Sequence, residues 1–249
     1  MSKCAYHYLF ETKNERKQGV PRPFIIEPPL TSKRFFLKDD TLYLNLLLIG
    51  RAIDYIPYFL YAFIKMGEEG IGMDRGRFAV VSLKAINGDG ERKEIYSIDT
   101  QKLSNDFERV NVYELKEKFI PQITLQFLTP TNIQIRGQQI EELEFETLLK
   151  FILRRFKSLN YFHGNGEKIE FPIDLKKAAE VEILQSELKN IRLQRYSNRQ
   201  KQNLPLAGFV GKITYRGEIG PFYPWLKIGE YLHVGKGTVF GMGWYRMLL

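Results

Sequence analysis

The sequence predicts an α+β protein in which a βαββαβ unit occurs twice, the first copy without its leading strand and helix. Three observations lead to this fold class. Both halves of the chain end with a helical or short-turn segment, a cluster of glycines and a final strand. In the second half all elements of the unit can be placed in order, whereas the first half contains only the later ones. A charged connector from about Asp99 to Lys118 separates the halves, so we expect domains at residues 1–118 and 119–249.

The first half is predicted to begin with an extended segment, followed by a strand and a helix. Residues 4–17 have the composition of a strand or loop, and prolines between residues 21 and 29 keep the next segment extended. The run TLYLNLLLI at residues 41–49 has the length and apolar content of a buried strand. After it, IPYFLYAFIKM repeats at helical spacing, and we expect this helix to begin after an Asp54 N-cap and to end at Gly67.

A predicted hairpin completes the first half, with RFAVVSLKAI as one strand, NGDG as the turn and EIYSI as the partner strand. The second half opens with the strand QITLQFLTP and the helix EELEFETLLKFILRRFKSLNYF. The apolar face of this helix combines Phe145, Leu148, Leu149, Ile152 and Phe156. A second helix is predicted at LKKAAEVEILQSEL, residues 175–188. The strand GFVGKITYRG, a short segment from Tyr223 to Ile228, a glycine-rich loop and a closing strand complete the unit.

The composition fits a folded protein with an acidic partner. Hydrophobic residues make up 44% and aromatic residues 14% of the chain, which is enough for a packed core. A net charge of +8 creates a positive surface potential that attracts polyanions. Nucleic acid is therefore a reasonable partner, although charge alone does not distinguish it from an ordinary lysine-rich surface.

Cysteine usage and hydropathy argue against a secreted or membrane protein. One cysteine, Cys4, leaves no partner for an intrachain disulfide and fits a reducing interior. No signal segment opens the sequence, and the longest apolar stretch, Leu42 to Ile49, is too short to cross a bilayer. We expect a cytoplasmic protein without a membrane partner.

The most informative segment is GEYLHVGKGTVFGMGWY, from Gly229 to Tyr245. Glycines let the backbone approach a phosphate closely and turn its N–H groups outward, and Lys236 adds a point charge in the same place. This pattern predicts an anion cradle, although it is neither a Walker loop nor a dinucleotide-binding fingerprint. The alternative is that the glycines serve only bulges and tight packing before the last strand.

A second segment, RLQRYSNRQKQ at residues 192–202, combines cations, amides and an aromatic ring. Arginine and lysine can hold phosphates, Tyr196 can stack on an unpaired base, and Asn198 or Gln200 can hydrogen-bond a base edge. The mixture favours RNA. The alternative is a solvated helix end or loop.

The segments RRFKSLNYFHG, RYSNRQ, GFVGKITYRG and GEYLHVGKGTVFGMG together resemble the CRISPR-associated endoribonucleases of the RAMP superfamily. CAYHYLFE, RPFIIEPP and the glycine cluster from Gly67 to Gly76 are similar to the first domain of that family. The resemblance implies tandem ferredoxin-like (RRM-like) domains that bind single-stranded or hairpin CRISPR repeat RNA, with other CRISPR-associated subunits as further partners. It also implies cleavage without metal or cofactor, in which the 2′-hydroxyl attacks the adjacent phosphate and leaves 2′,3′-cyclic phosphate and 5′-hydroxyl ends. A noncatalytic RNA-binding subunit of a CRISPR effector complex remains the alternative.

This chemistry needs a base, an acid and positive charge, and histidine titrates nearest neutral pH. His163 and His233 match the pattern of the family and are the candidates for base or acid, with Lys236 stabilising negative charge. The alternative for any lone histidine is a structural hydrogen bond. The predicted RNA-binding residues are Arg155, Arg192, Arg195, Tyr196, Arg199, Gln200, Lys201, Lys212, Gly235, Gly237, Gly241 and Gly243.

Overall fold

The computed structural model describes residues 4–11, 19–33, 35–72, 74–140, 142–164, 173–197 and 202–248, with side chains outside 193–206. The helices are α1 (Ala5–Phe10), α2 (Ile56–Glu69), α3 (Phe145–His163), α4 (Leu175–Ala179) and α5 (Tyr223–Leu232). The strands are β1 (Phe24–Glu27), β2 (Asn45–Leu48), β3 (Ser82–Ile86), β4 (Arg92–Ser97), β5 (Gln122–Thr131), β6 (Gln134–Ile135), β7 (Gln138–Gln139), β8 (Glu182–Ser197), β9 (Gln202–Arg216) and β10 (Tyr245–Leu248).

Contacts between Cα atoms divide the chain into two compact units. One unit combines residues 1–50 with residues 116–249, and the other comprises residues 51–115. Residues 1–50 are therefore grouped with the second half of the chain, whereas the sequence predicts them with the first half. None of the helices that the structure describes is both long and apolar enough to cross a membrane.

The larger unit contains the predicted βαββαβ fold. Its sheet has the order β10-β5-β9-β8 with antiparallel neighbours, and α3 and α5 follow the first and third strands of the unit. Along β5 the side chains alternate in burial, and Ile123, Leu125 and Phe127 face the core. This arrangement confirms the predicted α+β, ferredoxin-like fold, since the sequential elements and the order of strands are those of one such unit.

Helix α3 covers one face of this sheet with the predicted apolar stripe. Phe145, Leu148, Leu149, Ile152 and Phe156 are all buried, as the helical spacing indicates. The helix ends at His163, where the backbone N–H of the following glycine donates to the Asn160 carbonyl.

The second predicted helix of this half, residues 175–188, is wrong beyond its first turn. Helix α4 starts after Asp174, whose carboxylate accepts from the N–H groups of Lys176 and Lys177, and it ends at Ala179. Strand β8 begins at Glu182 and pairs with β9 along its whole length. Cross-strand hydrogen bonds thus override the helical propensity of the segment. The segment predicted from Tyr223 to Ile228 is the start of α5, which continues to Leu232.

Six shorter strands make two-stranded sheets, β1 with β2, β3 with β4 and β6 with β7. The predicted hairpin is confirmed, because β3 and β4 pair around a turn in which the Gly90 N–H donates to the Asn87 carbonyl. The opening segment, predicted as strand or loop, contains α1 instead. Helix α2 has Tyr55 rather than Asp54 as its N-cap and runs through Gly67 to Glu69.

Candidate nucleic-acid interface

The glycine-rich segment after α5 is fastened to the end of β5 by backbone hydrogen bonds. The Lys236 N–H donates to the Asn132 carbonyl at 2.9 Å, and the Gly243 N–H donates to the Pro130 carbonyl at 3.1 Å. Within the segment, the Val234 N–H donates to the Gly243 carbonyl at 3.0 Å. The segment is therefore a closed loop whose ends are tied to each other and to the central sheet.

Two of the predicted RNA-binding glycines, Gly241 and Gly243, lie buried in this packing. Both have positive φ, 76° and 75°. A Cβ atom at Gly241 would lie 2.8 Å from the Ile26 carbonyl oxygen, and one at Gly243 would lie 2.8 Å from the Val234 carbonyl carbon. Thr129 Oγ1 also donates to the Gly241 carbonyl at 2.7 Å. These two glycines fit the packing alternative rather than direct phosphate contact.

The other pair, Gly235 and Gly237, fits the anion-cradle prediction. Both are half-buried and flank the exposed Lys236. Their φ values are 91° and 76°, and neither N–H donates to a residue that the structure describes. The Lys236 ammonium group donates to the side-chain oxygen of Gln134. Amides without a described partner and an exposed ammonium group are the donors that an anion site would need.

Hydrogen bonds bring two arginines to the same end of the sheet. The Asn132 carbonyl accepts from the Lys236 N–H, and Asn132 Nδ2 donates to the Ala207 carbonyl at 2.8 Å. Ala207 of β9 lies opposite Arg192 of β8 in the sheet. Arg136 lies in the turn between β6 and β7, two residues after Gln134, whose side-chain oxygen accepts from the Lys236 ammonium group. Both arginines are exposed, and neither they nor Lys236 form an ion pair with any described residue. We call Arg136, Arg192, Gly235, Lys236 and Gly237 the loop-end cluster.

Arg136 was missed by the sequence analysis, although a signal for it exists. Gly137 at the second position of a two-residue turn is the signal, because both turn residues have the positive φ that such hairpins require, 51° and 84°. The turn places the arginine at an exposed tip.

Lys212 lies on the face of the sheet that the helices do not cover. In the register of the sheet, both Lys212 of β9 and Arg246 of β10 stand opposite Gln126 of β5. Glu187 of β8 stands opposite Lys212 and supplies a negative charge. Side chains alternate along β8, so Arg192 points to the other face from Glu187. Lys212 and Arg192 therefore do not share one surface.

The predicted catalytic residue His233 is completely buried, with 0% of its surface exposed. Its Nδ1 lies 3.1 Å from the Met242 carbonyl oxygen and its Nε2 lies 3.0 Å from Glu27 Oε1. The ring stacks on Trp244 with centroids 5.9 Å apart. In this arrangement neither nitrogen can reach an RNA molecule.

His163, the other predicted catalytic histidine, is 2% exposed. Its Nε2 lies 2.5 Å from the Pro21 carbonyl oxygen and its Nδ1 lies 3.3 Å from the Tyr8 hydroxyl. These contacts connect the end of α3 to α1 and to the segment before β1. The geometry fits the structural alternative for both histidines.

Arg155 is half-buried, and its guanidinium group is turned into the protein. Its Nε donates to the Leu232 carbonyl at 2.6 Å, and its Nη2 is buried without a partner among the described residues. Burial disfavours the charged form and lowers the pKa of the Arg155 guanidinium to about 10. The guanidinium supports the C-terminal end of α5, where backbone carbonyls carry partial negative charge.

The rest of the predicted basic segment is only partly described. Arg195 and Tyr196 lie in β8, where the backbone alone is described. Arg199, Gln200 and Lys201 lie outside the described residues.

Comparison with known proteins gives two matches to families. Residues 125–245 match the CRISPR-associated endoribonuclease Cas6 family, and residues 1–108 match a family described as an N-terminal domain. No curated protein matches the chain.

Solved structures resemble the fold over nearly the whole chain. A Cas6 product complex is 18% identical, with 98% of this chain and 90% of that chain covered and a TM-score of 0.53. Thermus thermophilus Cas6 is 17% identical, with 99% and 85% covered and a TM-score of 0.51. A partial Cas6-RT-Cas1–Cas2 complex is 13% identical, with 90% of this chain and 38% of that chain covered and a TM-score of 0.54.

Proposed function

We propose that this chain, whose residues 125–245 match the CRISPR-associated endoribonuclease Cas6 family, binds CRISPR repeat RNA and cuts precursor CRISPR RNA within its repeats. The loop-end cluster is the observation that carries the proposal. It offers two amides and three cations without carboxylate partners among the described residues, all at one end of the sheet. Such a group of donors suits the phosphates of a polyanion.

The proposed reaction is metal-independent transesterification. The ribose 2′-hydroxyl loses its proton and attacks the adjacent phosphorus, and the bond from phosphorus to the 5′-oxygen breaks as that oxygen gains a proton. The products carry a 2′,3′-cyclic phosphate and a 5′-hydroxyl. Lys236 and the amides of Gly235 and Gly237 would stabilise the negative charge that develops on the phosphate oxygens. His233, which contacts the Met242 carbonyl near the end of the loop, would hold these groups in position.

The second candidate function is RNA binding without cleavage, as a subunit of a CRISPR effector complex, because the same contacts suffice for it. Likeness to the Cas6 part of a Cas6-RT-Cas1–Cas2 complex supports other CRISPR-associated subunits as partners. Both functions place the protein in the cytoplasm, where transcripts are made available for processing.

Incubation of the purified protein with labelled repeat RNA in EDTA distinguishes the two functions. We expect a specific cut that leaves a cyclic phosphate, and scrambled RNA should stay intact. Lys236→Ala should slow this cut by roughly 100-fold, the usual effect of removing one group that stabilises transition-state charge. The control Lys150→Ala removes an exposed lysine that pairs with Glu146 on α3, and its rate should match wild type. Tight binding without a cut would favour the noncatalytic subunit.

A further inference from the structure

A chain of hydrogen bonds connects β1 and β2 to the glycine-rich loop, from the exposed Asn45 through Glu27 to the buried His233. Asn45 Nδ2 donates to Glu27 Oε2 at 2.7 Å, and Glu27 Oε1 lies 3.0 Å from His233 Nε2. His233 Nδ1 in turn lies 3.1 Å from the Met242 carbonyl oxygen. Glu27 is only 9% exposed, so water does not compete freely for these contacts.

The partners of His233 fix the number of protons in this chain. The Met242 carbonyl can only accept a hydrogen bond, and an ionised Glu27 carboxylate can also only accept. Both ring nitrogens must therefore donate, unless the carboxyl group itself carries a proton. In either case the pair holds one proton more than a neutral imidazole beside a carboxylate.

His163 provides a contrast within the same protein. Its Nε2 faces the Pro21 carbonyl, which only accepts, but its Nδ1 faces the Tyr8 hydroxyl, which can donate. A neutral imidazole satisfies both contacts there. The additional proton is thus a property of the partners of His233 and not of buried histidines in general.

His233 lies at a position from which its hydrogen bonds can fix both ends of the loop. His233 is the first residue after α5, with φ of 59°, and Met242 lies near the other end of the loop. The imidazole contacts the Met242 carbonyl directly, and its contact with Glu27 connects both ends of the loop to β1. Other charged groups nearby are Arg155, bound to the carbonyl of Leu232, and the exposed Lys236.

We propose that Glu27 is a positioning residue: through the proton it shares with His233, it holds Gly235, Lys236 and Gly237 in the form that binds phosphate. Loss of the hydrogen bond between Glu27 and His233 should release the loop and weaken RNA binding. The inference rests on the proposed function, since RNA is the ligand whose affinity is followed.

The variant Glu27→Gln separates the proton from the hydrogen bonds. A glutamine amide can donate to Nε2 of a neutral His233, whose Nδ1–H still donates to Met242, while the glutamine oxygen accepts from Asn45. All contacts are then satisfied without the additional proton. Glu27→Ala instead removes the partner of Asn45 Nδ2 and of His233 Nε2, while His233 Nδ1 keeps its contact with Met242.

The test measures the dissociation constant for repeat RNA. Glu27→Ala should bind about tenfold more weakly than wild type, the effect of losing one hydrogen bond to a charged group. Glu27→Gln keeps every hydrogen bond and should bind as tightly as wild type. Glu230→Gln, a carboxylate on α5 that pairs with Lys227, is the matched control and should follow wild type.

A readout without RNA separates this inference from the proposed function. In ¹⁵N spectra of the free protein, the Nε2 resonance of His233 should show a hydrogen bond in wild type and Glu27→Gln and its loss in Glu27→Ala, with His233→Gln used for assignment. An unchanged Nε2 resonance in Glu27→Ala, or unchanged RNA binding by that variant, would overturn the role of Glu27. If no protein binds RNA while the spectra agree, the proposed function fails and the positioning of His233 by Glu27 stands.

Discussion

At the scale of single residues, hydrogen-bond partners decide which predicted catalytic group can meet a substrate. His163 and His233 follow the family pattern, but each uses both ring nitrogens inside the protein. Lys236 is exposed and bound to one neutral amide. The sequence identifies all three as candidates because residue type and spacing are visible in it. The sequence cannot show which of the three can meet a substrate, because their hydrogen-bond partners lie as many as 206 positions away along the chain.

We expect His163 to act on stability more than on the chemical step. His163→Ala removes two buried contacts and leaves a cavity at the end of α3, which should lower the free energy of unfolding by about 2–4 kcal/mol. Urea denaturation measures this change, and the exposed His7→Ala serves as control because its ring has more than half of its surface in solvent. Cleavage by the folded fraction should stay within threefold of wild type. A stable His163→Ala protein that no longer cuts would restore the catalytic assignment.

At the scale of elements, periodicity predicts well where a segment buries one face. The helical stripe of α3 reaches the core as predicted, and the predicted strand β5 buries every second side chain. Residues 175–188 mislead because alanine, glutamate, lysine and leucine favour a helix locally, whereas the segment from Glu182 pairs with a neighbouring strand. Which glycines of the loop remain available is also set by contacts distant in sequence, such as that of Gly241 with the Ile26 carbonyl.

The packing role of the loop glycines can be measured with a matched pair of substitutions. Gly243 and Gly137 have similar positive φ, 75° and 84°, so alanine is strained at both by about 1–2 kcal/mol. A Cβ at Gly243 would also meet the Val234 backbone at 2.8 Å, whereas Gly137 has open space. We therefore expect Gly243→Ala to lower the free energy of unfolding clearly more than Gly137→Ala. Equal losses in thermal or urea unfolding would mean that strain alone, and not close packing, explains the glycine at 243.

At the scale of the whole molecule, the net charge of +8 says less than its distribution. Several lysines are paired with carboxylates, among them Lys93 with Asp106 and Lys227 with Glu230. The cations of the loop-end cluster have no such partners in the described part of the chain, and Lys212 faces Glu187 across the open sheet. Composition predicts an acidic partner, but only the register of β8 and β9 shows that the predicted cations lie on two different faces.

The salt dependence of binding tests which of these faces holds the RNA. Each phosphate contact with single-stranded nucleic acid contributes about −0.7 to the slope of log K against log salt concentration. Arg136→Ala and Arg192→Ala should each reduce the steepness of the slope by about 0.7, because their guanidinium groups would release counterions on binding. Lys212→Ala should leave the slope unchanged, since Glu187 already opposes its charge. All three side chains are exposed, so the variants should keep the stability of wild type. A slope that changes with Lys212 and not with the arginines would place the RNA on the open face of the sheet instead of the loop-end cluster.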